Sequence, residues 1–179
     1  QALATLLKRL PRLTVPVAVV QHMPAGFTAM LAEHLDRVGA MRCAEAQDGA
    51  MLAPGRVYLA PGDRHLLVDA VAGGYRARVT TDPPENFCRP AVDPMLRSAV
   101  RATGGKLLAV ILTGMGHDGL EGCRAVVAAG GQVLAQDEAS SVVWGMPGAV
   151  SRAGLPLLVG PPEALADRIA DIAAERIMA

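Results

Sequence analysis

Aromatic side chains are almost missing from this sequence: one Trp, two Tyr and two Phe, or 3% of 179 residues. Any core must be aliphatic, built from the Ala, Val, Leu and Met that supply much of the 51% apolar content. Cysteine is scarce as well. Cys43, Cys88 and Cys123 are odd in number and far apart, with no C-x-x-C pair among them. That excludes a zinc ribbon and a disulfide scaffold, and reduced structural thiols in a cytoplasmic protein are expected. An excess of one charge is also missing, since 17 basic side chains meet 17 acidic ones. The balance gives no reason to expect nucleic acid or an anionic membrane as partner. No apolar run approaches the ~20 residues of a membrane span, and no signal peptide is visible, so membrane insertion is not expected. Internal repeats and low-complexity segments are absent too. The length suits one domain, which on folding buries roughly 70% of its unfolded surface.

What is present is organised around Leu107 to Gly122, L-L-A-V-I-L-T-G-M-G-H-D-G-L-E-G. Leu107 to Leu112 form an unbroken apolar run, the pattern of a strand buried on both faces of a parallel sheet. Thr113 to Gly119 then place three glycines around His117 and Asp118. A helical pattern follows from Leu120 to about Ala129. A polar, glycine-rich loop at the carboxyl end of a buried strand is where ligands bind in open α/β sheets.

The rest of the chain alternates in the same way. Ala2 to Leu10 reads as a helix, and Val15 to Val20 as a second buried strand. Gly26 to Val38 reads as a helix with Phe27, Met30, Leu31, His34 and Leu35 spaced for one face. Short strand patterns at Arg56–Ala60, His65–Val68 and Tyr75–Val79 are separated by Pro- and Gly-rich turns, which suggests an antiparallel hairpin segment. Thr81 to Pro90 is a loop. Asp93 has the chemistry of a helix cap and Pro94 that of a first helical residue, for a helix reaching about Ala102. Gln132–Ala135 is a strand, Val142–Trp144 a further strand candidate, Gly145–Gly148 a turn and Leu155–Val159 a last strand. Pro161 and Pro162 start a closing helix to about Met178, with Leu165, Ile169, Ile172 and Ile177 along one side. The class is α/β: a doubly wound, mostly parallel sheet with an antiparallel hairpin segment, flanked by helices.

Two strands end in loops that carry ionisable groups, Val20 leading to His22 and Leu112 to Asp118. A His and an Asp meeting at one sheet edge suit a base and its orienter. The carboxylate fixes the tautomer, and the other ring nitrogen handles a proton. A histidine beside a strand can equally be a packing residue. Metal binding through His22, His117, Asp118 and Cys123 is a rival reading, although their spacing matches no ligand pattern. An anion cradle at the glycine loop is another, opposed by Asp118 among the donors and by the lack of a P-loop lysine.

Five further stretches carry a resemblance: Gln21–Thr28, Ala60–His65, Arg89–Asp93, Leu112–Gly119 and Ala135–Pro147. In sequence and order they resemble the catalytic domain of the chemotaxis protein-glutamate methylesterases, so residues 1–179 are expected to form one such domain. The resemblance implies a cytoplasmic serine hydrolase without metal or organic cofactor. It implies hydrolysis of glutamate methyl esters on methyl-accepting chemotaxis receptors, with release of methanol, and deamidation of receptor glutamines in some members. His22 matches the catalytic histidine and Asp118 the catalytic aspartate. Met115 and Gly114 match the vicinity of the bound ester, where a backbone N–H helps hold the oxyanion. His117 falls at a variable position, and Ala91 replaces the usual serine of R-P-S-V-D.

The family's nucleophile, a serine in G-x-S-[TA]-G-G, is expected just before Gln1, together with the strand that carries it. A sheet lacking that strand would have a gap. A receiver domain often precedes the hydrolase in this family. The alternative is a non-catalytic receptor-binding or scaffold module that lacks the nucleophile.

Overall fold

The structure, a computed structural model, describes residues 1–178 and the side chains of residues 1–175. The chain runs through α1 (Ala2–Arg9), β1 (Val17–Val19), α2 (Phe27–Val38), β2 (Arg42–Glu45), β3 (Arg56–Leu59), β4 (His65–Val71) and β5 (Gly74–Thr80). It continues through α3 (Val92–Thr103), β6 (Leu108–Ile111), α4 (Leu120–Ala128), β7 (Gln132–Gln136), α5 (Met146–Arg152), β8 (Leu158–Gly160) and α6 (Pro162–Met178). This is the α/β class that the alternation of patterns predicts. No described helix is long and apolar enough to cross a membrane.

Two three-stranded parallel sheets, β2-β3-β1 and β6-β7-β8, carry the fold, and β4 pairs with β5 as an antiparallel hairpin. Val57 of β3 sits opposite both Val17 and Cys43, while Ala135 of β7 sits opposite Ile111 and Val159. Among the described residues no ladder joins β1 to β6. Both are edge strands, and their burial follows from that. The central strands β3 and β7 are buried at every position but the first. All of β1 is only half-buried, and β6 alternates between half-buried and buried. Two apolar runs suited to a sheet interior thus lie along open edges.

The core is aliphatic, as the shortage of aromatics requires. Leu35, Leu59, Leu66, Leu134 and Leu165 are fully buried, each contributing about 1.5–3 kcal/mol through the hydrophobic effect. Leu165, Ile169 and Ile172 form the buried side of α6; Ile177 lies outside the described side chains.

Several expectations need correction. Arg56–Leu59 is the middle strand of a parallel sheet and not part of the hairpin, because β2 pairs on its other edge. Gly145–Gly148 is no turn: α5 begins at Met146, and Pro147 fits because a first-turn N–H needs no partner. Val142–Trp144 forms only an isolated bridge, Trp144 to Gly114. In α2 the inward face is Thr28, Leu31, Ala32 and Leu35, whereas Phe27, Met30 and His34 face outward. Asp93 does not cap its own helix; its carboxylate reaches the start of α4.

Candidate active site

His22 leaves the carboxyl end of β1 in the loop Gln21–Gly26. That loop rests on the Pro61–Asp63 turn after β3. A Cβ on Gly62 would lie 2.4 Å from the Pro24 carbonyl carbon and from the Ala25 nitrogen, so only glycine permits the approach. The Gly62 N–H donates to Thr28 Oγ1 at 2.9 Å, and the Thr28 hydroxyl donates to Glu45 Oε2 at 2.7 Å. Fully buried Thr28 thereby ties the turn to α2 and β2.

Asp118 stands at the carboxyl side of β6, at the start of α4. Its side chain is 2% exposed against 26% for His22, and His22 Nε2 lies 2.7 Å from Asp118 Oδ2. The carboxylate accepts three further bonds. The Val92 N–H reaches Oδ2 at 2.7 Å, and the Asp93 N–H and Asn86 Nδ2 reach Oδ1 at 3.1 and 2.9 Å. Burial pushes the Asp118 carboxyl up, but the His22 bond, the two backbone N–H groups and Asn86 outweigh it and hold the group below the usual carboxylate range. Asp118 is therefore ionised, and His22 Nε2 is the donor to it. His22 Nδ1 has no partner among the described residues and is the nitrogen free to accept a proton.

The loop after β6 is fixed by β7 and by the segment before α5. Gln136 is buried; its Oε1 accepts the Thr113 N–H at 2.7 Å and its backbone oxygen accepts the Trp144 indole N–H at 2.9 Å. The Gly114 N–H is donated to the Val143 oxygen, and the Gly114 oxygen accepts from Gly145 and Met146. Gly114 thus has no N–H to offer an oxyanion. The Met115 N–H has no acceptor among the described residues, and its side chain is 79% exposed. His117 is exposed.

The metal set considered from sequence does not gather. Cys123 is fully buried, its thiol pushed up to about 12 by burial and then by the charge of Asp93. Among the described residues the group that does gather is His22, Cys88 and Asp118, with one ligand atom of each within 4.8 Å of the others. Asn86 and Cys88 escaped sequence reasoning because the 81–90 loop has no periodicity. The one available signal was the residue type at Asn86, which adopts φ 54°; asparagine is enriched in that left-handed region.

The family model described as CheB methylesterase matches residues 1–169. A protein-glutamate methylesterase/protein-glutamine glutaminase of Rhodospirillum centenum is 55% identical over 98% of this chain and 45% of its own length. One of that name from Azospirillum brasilense is 63% identical over 79% of this chain and 36% of its own. The chain therefore spans less than half the length of these relatives. The crystal structure of the Thermotoga maritima CheB methylesterase catalytic domain superposes with a TM-score of 0.92 at 40% identity, covering 96% of this chain and 91% of that one. A buried, four-bonded aspartate orienting a strand-end histidine, on a fold shared with that domain, accords with a family match across nearly the whole chain: this chain belongs to the CheB methylesterase family.

Proposed function

We propose that this chain is the hydrolase part of a cytoplasmic protein-glutamate methylesterase that demethylates, and deamidates, methyl-accepting chemotaxis receptors. The observation that carries the reading is the 2.7 Å bond between His22 Nε2 and ionised Asp118, which leaves Nδ1 free as base. The nucleophile is a serine on a strand seated between β1 and β6. The half-buried apolar edges of those strands support a strand in that place. None of the four serines in the sequence donates a hydrogen bond to His22: Ser98 is buried against the Met95 oxygen, Ser140 and Ser141 bond within their own loop, and Ser151 bonds Pro147.

The serine Oγ attacks the ester carbonyl carbon while His22 Nδ1 takes its proton. The Asp118 carboxylate holds the ring and stabilises the imidazolium. The oxyanion receives the Met115 N–H. Collapse breaks the bond to the methoxy group, which leaves as methanol with the proton from Nδ1. Water repeats the sequence on the acyl-enzyme and releases glutamate. With ammonia as leaving group the same steps deamidate glutamine. The whole protein also carries a regulatory receiver domain, in keeping with relatives more than twice the matched length.

The test is methanol release from methylated receptor by the whole protein, with labelling by a fluorophosphonate serine probe alongside. Release together with labelling supports the hydrolase. Receptor binding with neither would establish a non-catalytic scaffold in its place.

A further inference from the structure

Three thiols are present, and only one is placed for chemistry. Cys43 is buried, and that burial pushes its thiol up to about 11; Cys123 is fully buried and higher still. Cys88 is only half-buried, although burial and then the charge of Asp118 push its thiol up as well. It follows Asn86, whose amide holds Asp118, and its Sγ lies within 4.8 Å of ligand atoms of both His22 and Asp118. Among the described residues the thiol makes one hydrogen bond, donating to the Asn86 oxygen at 3.3 Å. The nearby loop is held from two sides. Arg89 bonds Asp63 and the Thr81 and Asp82 oxygens, and Ala91 N–H donates to His65 Nδ1.

We propose that His22, Cys88 and Asp118 form a site for a thiophilic divalent cation, Zn2+, and that its binding shuts off the hydrolase. One imidazole, one thiol and one carboxylate are the donor types of a zinc site with an open fourth position. Zinc bonds of ~2.0–2.3 Å place the donors roughly 3.5 Å apart. The widest pair therefore closes by about 1 Å, within reach of a Cys88 side-chain rotation. Binding releases the Cys88 thiol proton to solvent, and the proton between His22 and Asp118 moves by way of solvent to Nδ1, so that the neutral ring binds through Nε2. No electron moves. The occupied site takes from His22 the carboxylate that orients it, so the ring no longer serves as base. Hard cations lack the preference for sulfur, and Mg2+ and Ca2+ leave the site alone.

The binding half needs no hydrolysis and stands or falls by itself; only the inhibition half rests on the proposed function. The experiment titrates Co2+ into the purified whole protein and follows the sulfur-to-cobalt charge-transfer absorption. The expected result is a band saturating at one ion per chain, lost in Cys88→Ser and retained in Cys43→Ser. Zn2+ is expected to abolish the band and to slow alkylation of Cys88, mapped by mass spectrometry, by about tenfold or more, because the bound thiolate is no longer the free nucleophile. His22→Ala is expected to remove that protection. A band that survives Cys88→Ser, or alkylation unchanged by Zn2+, would overturn the site. In the whole protein, each variant is compared with its own rate in chelator. Zn2+ is expected to inhibit the parent about tenfold or more at a concentration that leaves Cys88→Ser within twofold. Equal inhibition of both would overturn the regulatory role while leaving the hydrolase reading intact.

Discussion

Asp93 and Asp118 each close the amino end of the other's helix. Asp118 accepts the Val92 and Asp93 N–H groups at the start of α3, and Asp93 Oδ1 accepts the Gly119 and Gly122 N–H groups at the start of α4, at 3.1 and 2.7 Å. Both carboxylates are buried, and Asn86 Nδ2 bridges them with two bonds of 2.9 Å. Two helix amino ends lend their positive ends to two negative charges that would otherwise repel. The arrangement holds Asp118 still before any substrate arrives.

Removing one half of this exchange frees buried donors at the other helix. Asp93→Ala is expected to lower the unfolding free energy by about 2–3 kcal/mol, the range for orphaned buried groups. Asp93→Asn, which keeps an oxygen facing Gly122, should lose less. Urea unfolding followed by circular dichroism gives both values. A loss below about 0.5 kcal/mol, the scale of an inert surface change, would show that the capping contributes little.

Asn86 touches Asp118 but not the reacting atoms, so it acts as a positioning residue. Asn86→Ala in the whole protein should lower kcat by roughly tenfold with little change in KM, the pattern of support lost in the transition state. Asn86→Asp adds a third carboxylate and should lose more, with the loss easing as pH falls and the new acid is protonated. Steady-state methanol release between about pH 5 and 8 separates these outcomes. A change confined to KM would remove Asn86 from this role.

Gly62 lies against the backbone of Pro24 and Ala25, where a Cβ has no room. Gly62→Ala forces the His22 loop away from the β3 turn. The expected effect is a destabilisation of about 1–3 kcal/mol, as for an overpacked interior, with a loss of activity larger than stability alone explains. Comparing the melting midpoint with kcat tests it. A variant with parental values for both would mean that the two loops part without consequence.

Cys123 provides an alkaline signature. Burial, then the charge of Asp93, pushes its thiol up to about 12. The folded value lies above an unfolded value of about 8.5, so this stabilisation is complete below that pH and is lost as pH rises towards the folded value. Stability should fall more steeply above about pH 9 in the parent than in Cys123→Ala. Parallel unfolding curves for the two proteins would contradict the shift.

The α/β alternation was legible because each long element keeps one period: Leu120–Ala128 and Pro162–Met178 repeat as helices, and Leu108–Ile111 and Gln132–Gln136 as apolar strands. β2 was not, because Arg42-Cys43-Ala44-Glu45 has charged ends and no apolar run, and gains its strand state from pairing with β3. Gly145 and Pro147 read as a turn because local propensity says nothing of the backbone bonds from Gly145 and Met146 to the Gly114 oxygen that anchor the start of α5. Asp93 was read as the cap of the nearest helix, whereas its partners lie 26 and 29 positions away. Within the site, His22 and Asp118 were drawn together by two strand ends and by the resemblance. Asn86 and Cys88 meet them only through a loop whose course is set in three dimensions.

The central claim is that His22 and Asp118 act as one unit. The most direct measurement is kcat for ester hydrolysis by the whole protein carrying His22→Ala, Asp118→Asn or both. Each single change is expected to lower kcat by ~10⁴, and the double change little further, since members of such a unit are not additive. Single variants that stay within about tenfold of the parent, or losses that simply multiply in the double variant, would contradict it.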